Sequence, residues 1–164
     1  MEPALLVAEL DNCFKAFDRI VEKYEIEKIK TIGDSYMAAA GLPVPDEDGA
    51  VKAVQAALDI QAFMEQYNKE RMAKNSKPFE IRIGLHTGSV VAGIVGFKKF
   101  AYDIWGDTVN TASRIENSGS PGKINISATT YGHIKDKFRC TYRGKIAAKS
   151  KGDIDMYFVD GLAN

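Results

Sequence analysis

Leu6, Leu10, Cys13, Phe14, Phe17, Val21 and Tyr24 recur at steps of three and four residues, which lines one face of a helix. The spacing predicts a helix running to about Tyr24. From Glu27 to Thr31 polar and apolar residues alternate instead, the period of a strand. Gly33-Asp34 is a turn signal, and Ser35 to Ala40 reads as the returning strand of a β-hairpin. A polar loop with Pro43, Pro45, Asp46 and Asp48 follows. A long helix from about Asp48 to Ala73 then carries Val51, Val54, Leu58, Phe63 or Met64, and Tyr67 on one face.

Lys74 to Pro78 breaks that helix. Phe79, Ile81, Ile83 and Leu85 alternate with Glu80, Arg82, Gly84 and His86, predicting a strand with one buried face. Thr87-Gly88 turns the chain into a second apolar strand, Val90 to Val95. Lys98 to Asp107 reads as a loop, and Thr108 to Asn117 as a short helix with Asp107 as its N-cap. Lys123 to Ser127 is a strand, Ala128 to Lys135 a helix, and Phe138 to Val159 a strand pair around a basic loop. Helices alternating with strand pairs in this order imply an α+β fold, with helices packed on a largely antiparallel sheet.

The length of 164 residues bounds this to a single domain, 1–164, long enough to bury one core. Its 22 basic and 22 acidic residues cancel, so nothing points to a nucleic-acid partner. No run of about 18 apolar residues predicts a membrane span, and Met1-Glu2-Pro3 lacks the basic start of a signal peptide. Cys13 and Cys140 lie far apart in unlike surroundings, the pattern of reduced thiols in a cytoplasmic protein. His86 and His133 form no cluster.

Four segments hold residues that could carry chemistry. They are Lys28-Ile29-Lys30-Thr31-Ile32-Gly33-Asp34-Ser35-Tyr36-Met37, Arg82-Ile83-Gly84-Leu85-His86-Thr87-Gly88, Tyr102 to Arg114, and Lys149-Ser150-Lys151-Gly152-Asp153. Taken singly, each has a plain reading. Asp34 after glycine is a turn residue, and Lys30 a solvated edge charge. Asn110 and Arg114, four apart, share an exposed helix face, and Lys149 belongs to a basic loop.

Together, in this order and spacing, the segments resemble the class III adenylyl and guanylyl cyclase catalytic domain. The resemblance runs from the first helix to Phe158. Its most specific stretches are Ile-Lys-Thr-Ile-Gly-Asp and Tyr-Asp-Ile-Trp-Gly-Asp-Thr-Val-Asn-Thr-Ala-Ser-Arg. It implies the ferredoxin-like, βαββαβ-derived sheet of that family, covered by helices. It also implies conversion of ATP to cyclic AMP and pyrophosphate, at a composite site between two paired domains. The partner would be a second copy or another cyclase domain, and the cofactors Mg²⁺ or Mn²⁺, two ions in the intact family site.

By the same resemblance Asp34 matches a metal-binding aspartate, and Lys30 and Asp103 the pair that reads adenine. Relatives that use GTP typically carry glutamate and cysteine at those two places. Arg114 matches the arginine that stabilises the transition-state phosphate, and Asn110 the asparagine that orients the ribose. Lys149 and Arg82 match residues holding the terminal phosphates, Arg82 from the other subunit.

The family pattern opens with a strand bearing phenylalanine, a variable residue and aspartate, the second metal ligand. The first helix here begins without it. Asp11 and Asp18 lie within that helix and do not match the motif. A homodimer of this chain is therefore expected to be weak or inactive, and the sheet to have backbone groups that need partners. The alternative reading is a catalytically incomplete module that binds nucleotide or pairs with a complete cyclase partner.

Overall fold

A computed structural model describes residues 3–96 and 101–163, in two compact units, Met1–Ala56 and Ala57–Asn164. The first unit holds α1 (Pro3–Lys23), β1 (Glu27–Ile32), β2 (Ser35–Ala39) and the start of α2 (Gly49–Ala73). The face of α1 that buries is Cys13, Ala16, Phe17 and Val21. Cys13, Phe17 and Val21 belong to the predicted stripe and Ala16 joins them, while Leu10, Phe14 and Tyr24 are half-buried and the first turn stays exposed at Leu5, Leu6 and Val7. Val21, Ile26 and Ala56 form the core, and Tyr36, Ala38 and Ala40 from the second strand and the residue after it pack onto it. Apolar burial of this kind is what holds an isolated hairpin in place, since two strands alone are marginal in water.

The second unit holds the rest of α2, then β3 (Ile83–Leu85), β4 (Val91–Val95), β5 (Ala101–Trp105) and α3 (Asp107–Asn117). It continues with β6 (Ile124–Ser127), α4 (Ala128–Ile134), β7 (Phe138–Ala148) and β8 (Gly152–Leu162). A four-stranded sheet runs in the order β3-β6-β8-β7. Its β3–β6 pair is parallel and the others antiparallel. All four residues of β6 are buried, as a central strand requires. Its Asn125 is satisfied there, donating to the Ile115 carbonyl at 2.8 Å and accepting from Arg143 at 2.9 Å. The hairpins β1–β2 and β4–β5 each form a two-stranded sheet. Among the described residues β3 has one ladder partner, β6.

Three expectations change. The predicted strand from Phe79 shortens to Ile83–Leu85. The reason is that Asn68 takes both backbone groups of Phe79, at 2.9 and 2.8 Å, and Gly122 donates to the Ile81 carbonyl at 2.9 Å. Those groups are then spent outside a ladder. Within the predicted loop 98–107, residues 98–100 lie outside the described residues, and Ala101–Trp105 forms β5 against β4. Asp107 is not a cap. Gly106 holds that position with φ 126°, a conformation glycine adopts without strain, and no side chain caps the helix.

At Gly84 helix α3 and strand β3 approach closely. A Cβ there would lie 2.3 Å from the Glu116 backbone nitrogen and 2.5 Å from its Cα. Neither atom can rotate away, so the helix or strand must shift. Gly84→Ala is expected to destabilise the second unit by about 3 kcal/mol, lowering the thermal midpoint by roughly 10 °C. Calorimetry checks this, and an unchanged midpoint would mean the α3–β3 packing is not tight.

Candidate functional site

Lys30 and Asp34 share the β1–β2 hairpin. Its ladder slips by one residue between Lys28 and Lys30, so Ile29 is an extra residue on β1. Because Lys28 pairs with Ala38 and Lys30 with Met37, neighbours in β2, the two lysines occupy opposite faces of the hairpin. An unbroken strand would put them on one face. The bulge thus gives Lys28 to the face that packs on α1 and turns Lys30 to the other. Asp34 sits exposed in the connecting turn. Among the described residues its carboxylate has no ion pair or hydrogen bond.

Asp103 lies mid-way along β5, half-buried, with Gly93 as its cross-strand partner. The position beside the carboxylate on that face therefore carries no side chain. The Trp105 ring borders it, 3.5 Å from where a Cβ on Gly93 would stand. One carboxylate oxygen accepts from the Ile104 backbone at 2.8 Å, which orients the group.

Through Gly106 the chain passes straight from β5 into α3. Thr111 and Ile115 bury one stripe of that helix. Asn110 and Arg114 each precede a residue of this stripe and so flank it together. Neither side chain makes an ion pair or hydrogen bond to a described residue. Lys149 is exposed in the β7–β8 turn. Two residues on, Lys151 forms an ion pair with Asp107, tying that turn to the first turn of α3. Sequence reasoning missed this link, because it treated Asp107 as a local cap and the lysine as one of a basic run. Arg82 is placed differently. Its guanidinium reaches the carbonyl of Asn117, the last residue of α3, at 3.4 Å. The second unit thus holds Asp103, Asn110, Arg114, Lys149 and Arg82, and the first unit Lys30 and Asp34.

No group of three or more His, Cys, Asp or Glu suited to a metal ion occurs among the described residues. Mg²⁺ is commonly held by one or two carboxylates together with substrate phosphates, the rest of its shell being water. A single accessible carboxylate at Asp34 fits that donor set. No helix among the described residues is long and apolar enough to cross a membrane.

At the ends of β3 and β6, a hydroxyl network ties the strands to α4. His86 Nδ1 lies 2.7 Å from the Ser127 hydroxyl, and Thr87 2.8 Å from Thr130. Burial pushes the His86 imidazole below its ordinary pKa of 6.5. The unfolded chain then takes up a proton first as pH falls, so stability drops below about pH 6.5 and levels off beneath the folded value. A falling thermal midpoint over that range is expected, and His86→Gln should flatten it. A slope unaffected by the substitution would assign the acid sensitivity elsewhere.

A sequence model of the adenylate and guanylate cyclase catalytic domain matches residues 1–161. The chain is 42% identical over 159 residues to the adenylate cyclase of Mycobacterium bovis, covering 97% of this chain and 35% of that protein. It is 41% identical over 160 residues to the rat guanylate cyclase soluble subunit beta-2, covering 96% of this chain and 23% of that one. It therefore spans about a third of the first relative's length and less of the second. The crystal structure of the guanylate cyclase domain of RhGC from Catenaria anguillulae, in complex with GTP, superposes with a TM-score of 0.90. That match has 34% identity, over 99% of this chain and 87% of that one.

Proposed function

Because the chain belongs to the adenylate and guanylate cyclase catalytic domain family, we propose that it is the catalytic domain, 1–164, of an adenylate cyclase. Its reaction is conversion of ATP to 3′,5′-cyclic AMP and pyrophosphate. Relatives named for either nucleotide are nearly equally identical to it, so similarity does not choose the base. The observation that carries ATP is the pair Lys30 and Asp103. A lysine ammonium donates to a ring nitrogen of adenine, and a carboxylate accepts from its exocyclic amine. Guanine presents an oxo group in that place and repels the carboxylate. The bulge that turns Lys30 away from α1 and the bare position opposite Asp103 support this reading.

In the reaction the ribose 3′-hydroxyl attacks the α-phosphate and pyrophosphate leaves. Asn110 orients the ribose. Arg114 donates to the α-phosphate oxygens as their charge redistributes, and Lys149 holds the terminal phosphates. A bound Mg²⁺ or Mn²⁺ would lower the pKa of the hydroxyl and neutralise phosphate charge, with Asp34 as the residue that holds it. No side chain is assigned as general base, and positioning and charge supply most of the effect.

A dimer fits two further observations. Val91, Ile94, Val95 and Trp105 leave apolar surface exposed on the β4–β5 hairpin. Arg82, at the C-terminal end of α3, is suited to reach the phosphates bound by a partner domain.

The same pair supports one second reading, in which the chain is a module that supplies Lys30 and Asp103 to a partner cyclase domain. The test is incubation with ATP or GTP and Mn²⁺ in three forms: alone, joined to a strand bearing the family's other aspartate, and mixed with a cyclase domain lacking the base-reading pair. Cyclic AMP from the joined form supports the enzyme, and from the mixture alone the module. No cyclic nucleotide from any form overturns both.

A further inference from the structure

The face of the β1–β2 hairpin opposite Lys30 carries a polar clamp that the proposed reaction does not use. Tyr36 of β2 donates its hydroxyl to Asp18 of α1 at 2.7 Å. Lys28 of β1 places its ammonium on the same carboxylate, 3.0 and 3.2 Å from its two oxygens. Both strands are therefore fixed to one side chain of the helix. The Tyr36 ring packs on Phe14 and Phe17, with centroids 5.5 and 5.6 Å away, and the Lys28 ammonium stands 5.4 Å from that ring. The ring alone would fill the space. The hydroxyl adds direction, because a hydrogen bond is lost within tens of degrees of misalignment while apolar burial is not.

Tyr36 stands two residues after Asp34, and Lys28 two residues before Lys30. The clamp thus grips β2 at Tyr36, one pair from the turn that presents Asp34, and β1 at Lys28, toward the open end of the hairpin. We propose that Tyr36 and Asp18 are positioning residues, which hold the Gly33-Asp34 turn in the pose from which Asp34 binds a divalent ion. This rests on the reading of Asp34 as a metal carboxylate. A tip that samples several poses must be ordered by the ion itself, and its apparent affinity falls by the fraction of time spent in the competent pose. Supporting partners of metal ligands act in this way generally.

Tyr36→Phe keeps the ring and removes only the hydroxyl. In the form of the chain that makes cyclic product, the Mg²⁺ concentration for half-maximal activity should rise about ten-fold, the lower end of the scale of one lost charge-assisted hydrogen bond. Amide hydrogen exchange of a peptide spanning 31–37 should quicken in parallel, measured without substrate. Asp18→Ala should reproduce both effects. Asp18→Asn, whose amide oxygen still accepts from Tyr36, should return most of the wild-type behaviour. The ATP to GTP preference should not move. Faster exchange with an unchanged Mg²⁺ requirement would reduce the clamp to a packing role and overturn the proposal, as would unchanged exchange. Asp34→Asn is the control. If it retains full activity, the metal reading of Asp34 fails and the proposal falls with it. If it is inactive while Tyr36→Phe is silent, only the clamp fails.

Discussion

Replacing Arg114 with alanine is expected to lower kcat by about 10²–10³-fold, with little change in KM, the usual consequence of removing one preorganised donor to developing charge. The fold should tolerate the change. Arg114 makes no side-chain hydrogen bond or ion pair to a described residue, so its loss leaves no partner stranded. Thr111 and Ile115, which anchor α3, are untouched. The thermal midpoint should stay within a degree or so of wild type, since surface substitutions generally cost about 0.5 kcal/mol or less. Arg114→Lys should recover only part of the rate, because an ammonium cannot offer the parallel pair of donors that a guanidinium can. Steady-state kinetics decides it, on purified variants of the form that makes cyclic product. A rise in KM with kcat intact would assign Arg114 to substrate binding and not to the transition state.

The second large effect concerns base choice. Lys30→Glu combined with Asp103→Cys is expected to shift the ratio of kcat/KM for ATP over GTP by about 10²–10⁴-fold toward GTP, less than the roughly 10⁴–10⁵-fold of fully buried polar sites because both groups are half-buried. The two changes belong together. Each single variant leaves one group matched to adenine and one to guanine, so both nucleotides should suffer. Lys30 lies on the hairpin face away from α1, and Asp103 faces a glycine across the strand pair. Rates with each nucleotide across the four combinations provide the check, and an unchanged preference for ATP in the double variant would remove the base-reading argument.

Much of this was legible along the chain. The stripe from Cys13 to Val21, the hairpin turn at Gly33-Asp34 and the helix ending at Asn117 are local patterns, and local periodicity reports them. The family resemblance, carried by long unbroken motifs, predicted the kind of fold that is found. What stayed hidden depends on partners distant in sequence. β5 escaped notice because Asp103 interrupts its Tyr-Asp-Ile-Trp run, although three of those residues favour strands. The shortening of β3 needed Asn68 and Gly122 to claim the backbone of the preceding segment. The bulge at Ile29 is invisible as a pattern, since Lys28 and Lys30 alternate like any strand pair until the register with β2 is seen. The Lys151–Asp107 link and the close approach of Gly84 to α3 likewise join segments that no local reading connects.

The candidate residues follow the same division. Asn110 and Arg114 could be placed on one helix face from spacing alone. That Arg82 stands at the C-terminal end of that helix, beyond the turn bearing Arg114, could not, because it depends on where β3 packs.

The most direct test of the whole account offers the chain, joined to a strand bearing the family's other aspartate, equal concentrations of ATP and GTP with Mn²⁺ in one vessel. The cyclic products are then resolved by chromatography. Cyclic AMP in large excess is the predicted result. Cyclic GMP as the main product would contradict it.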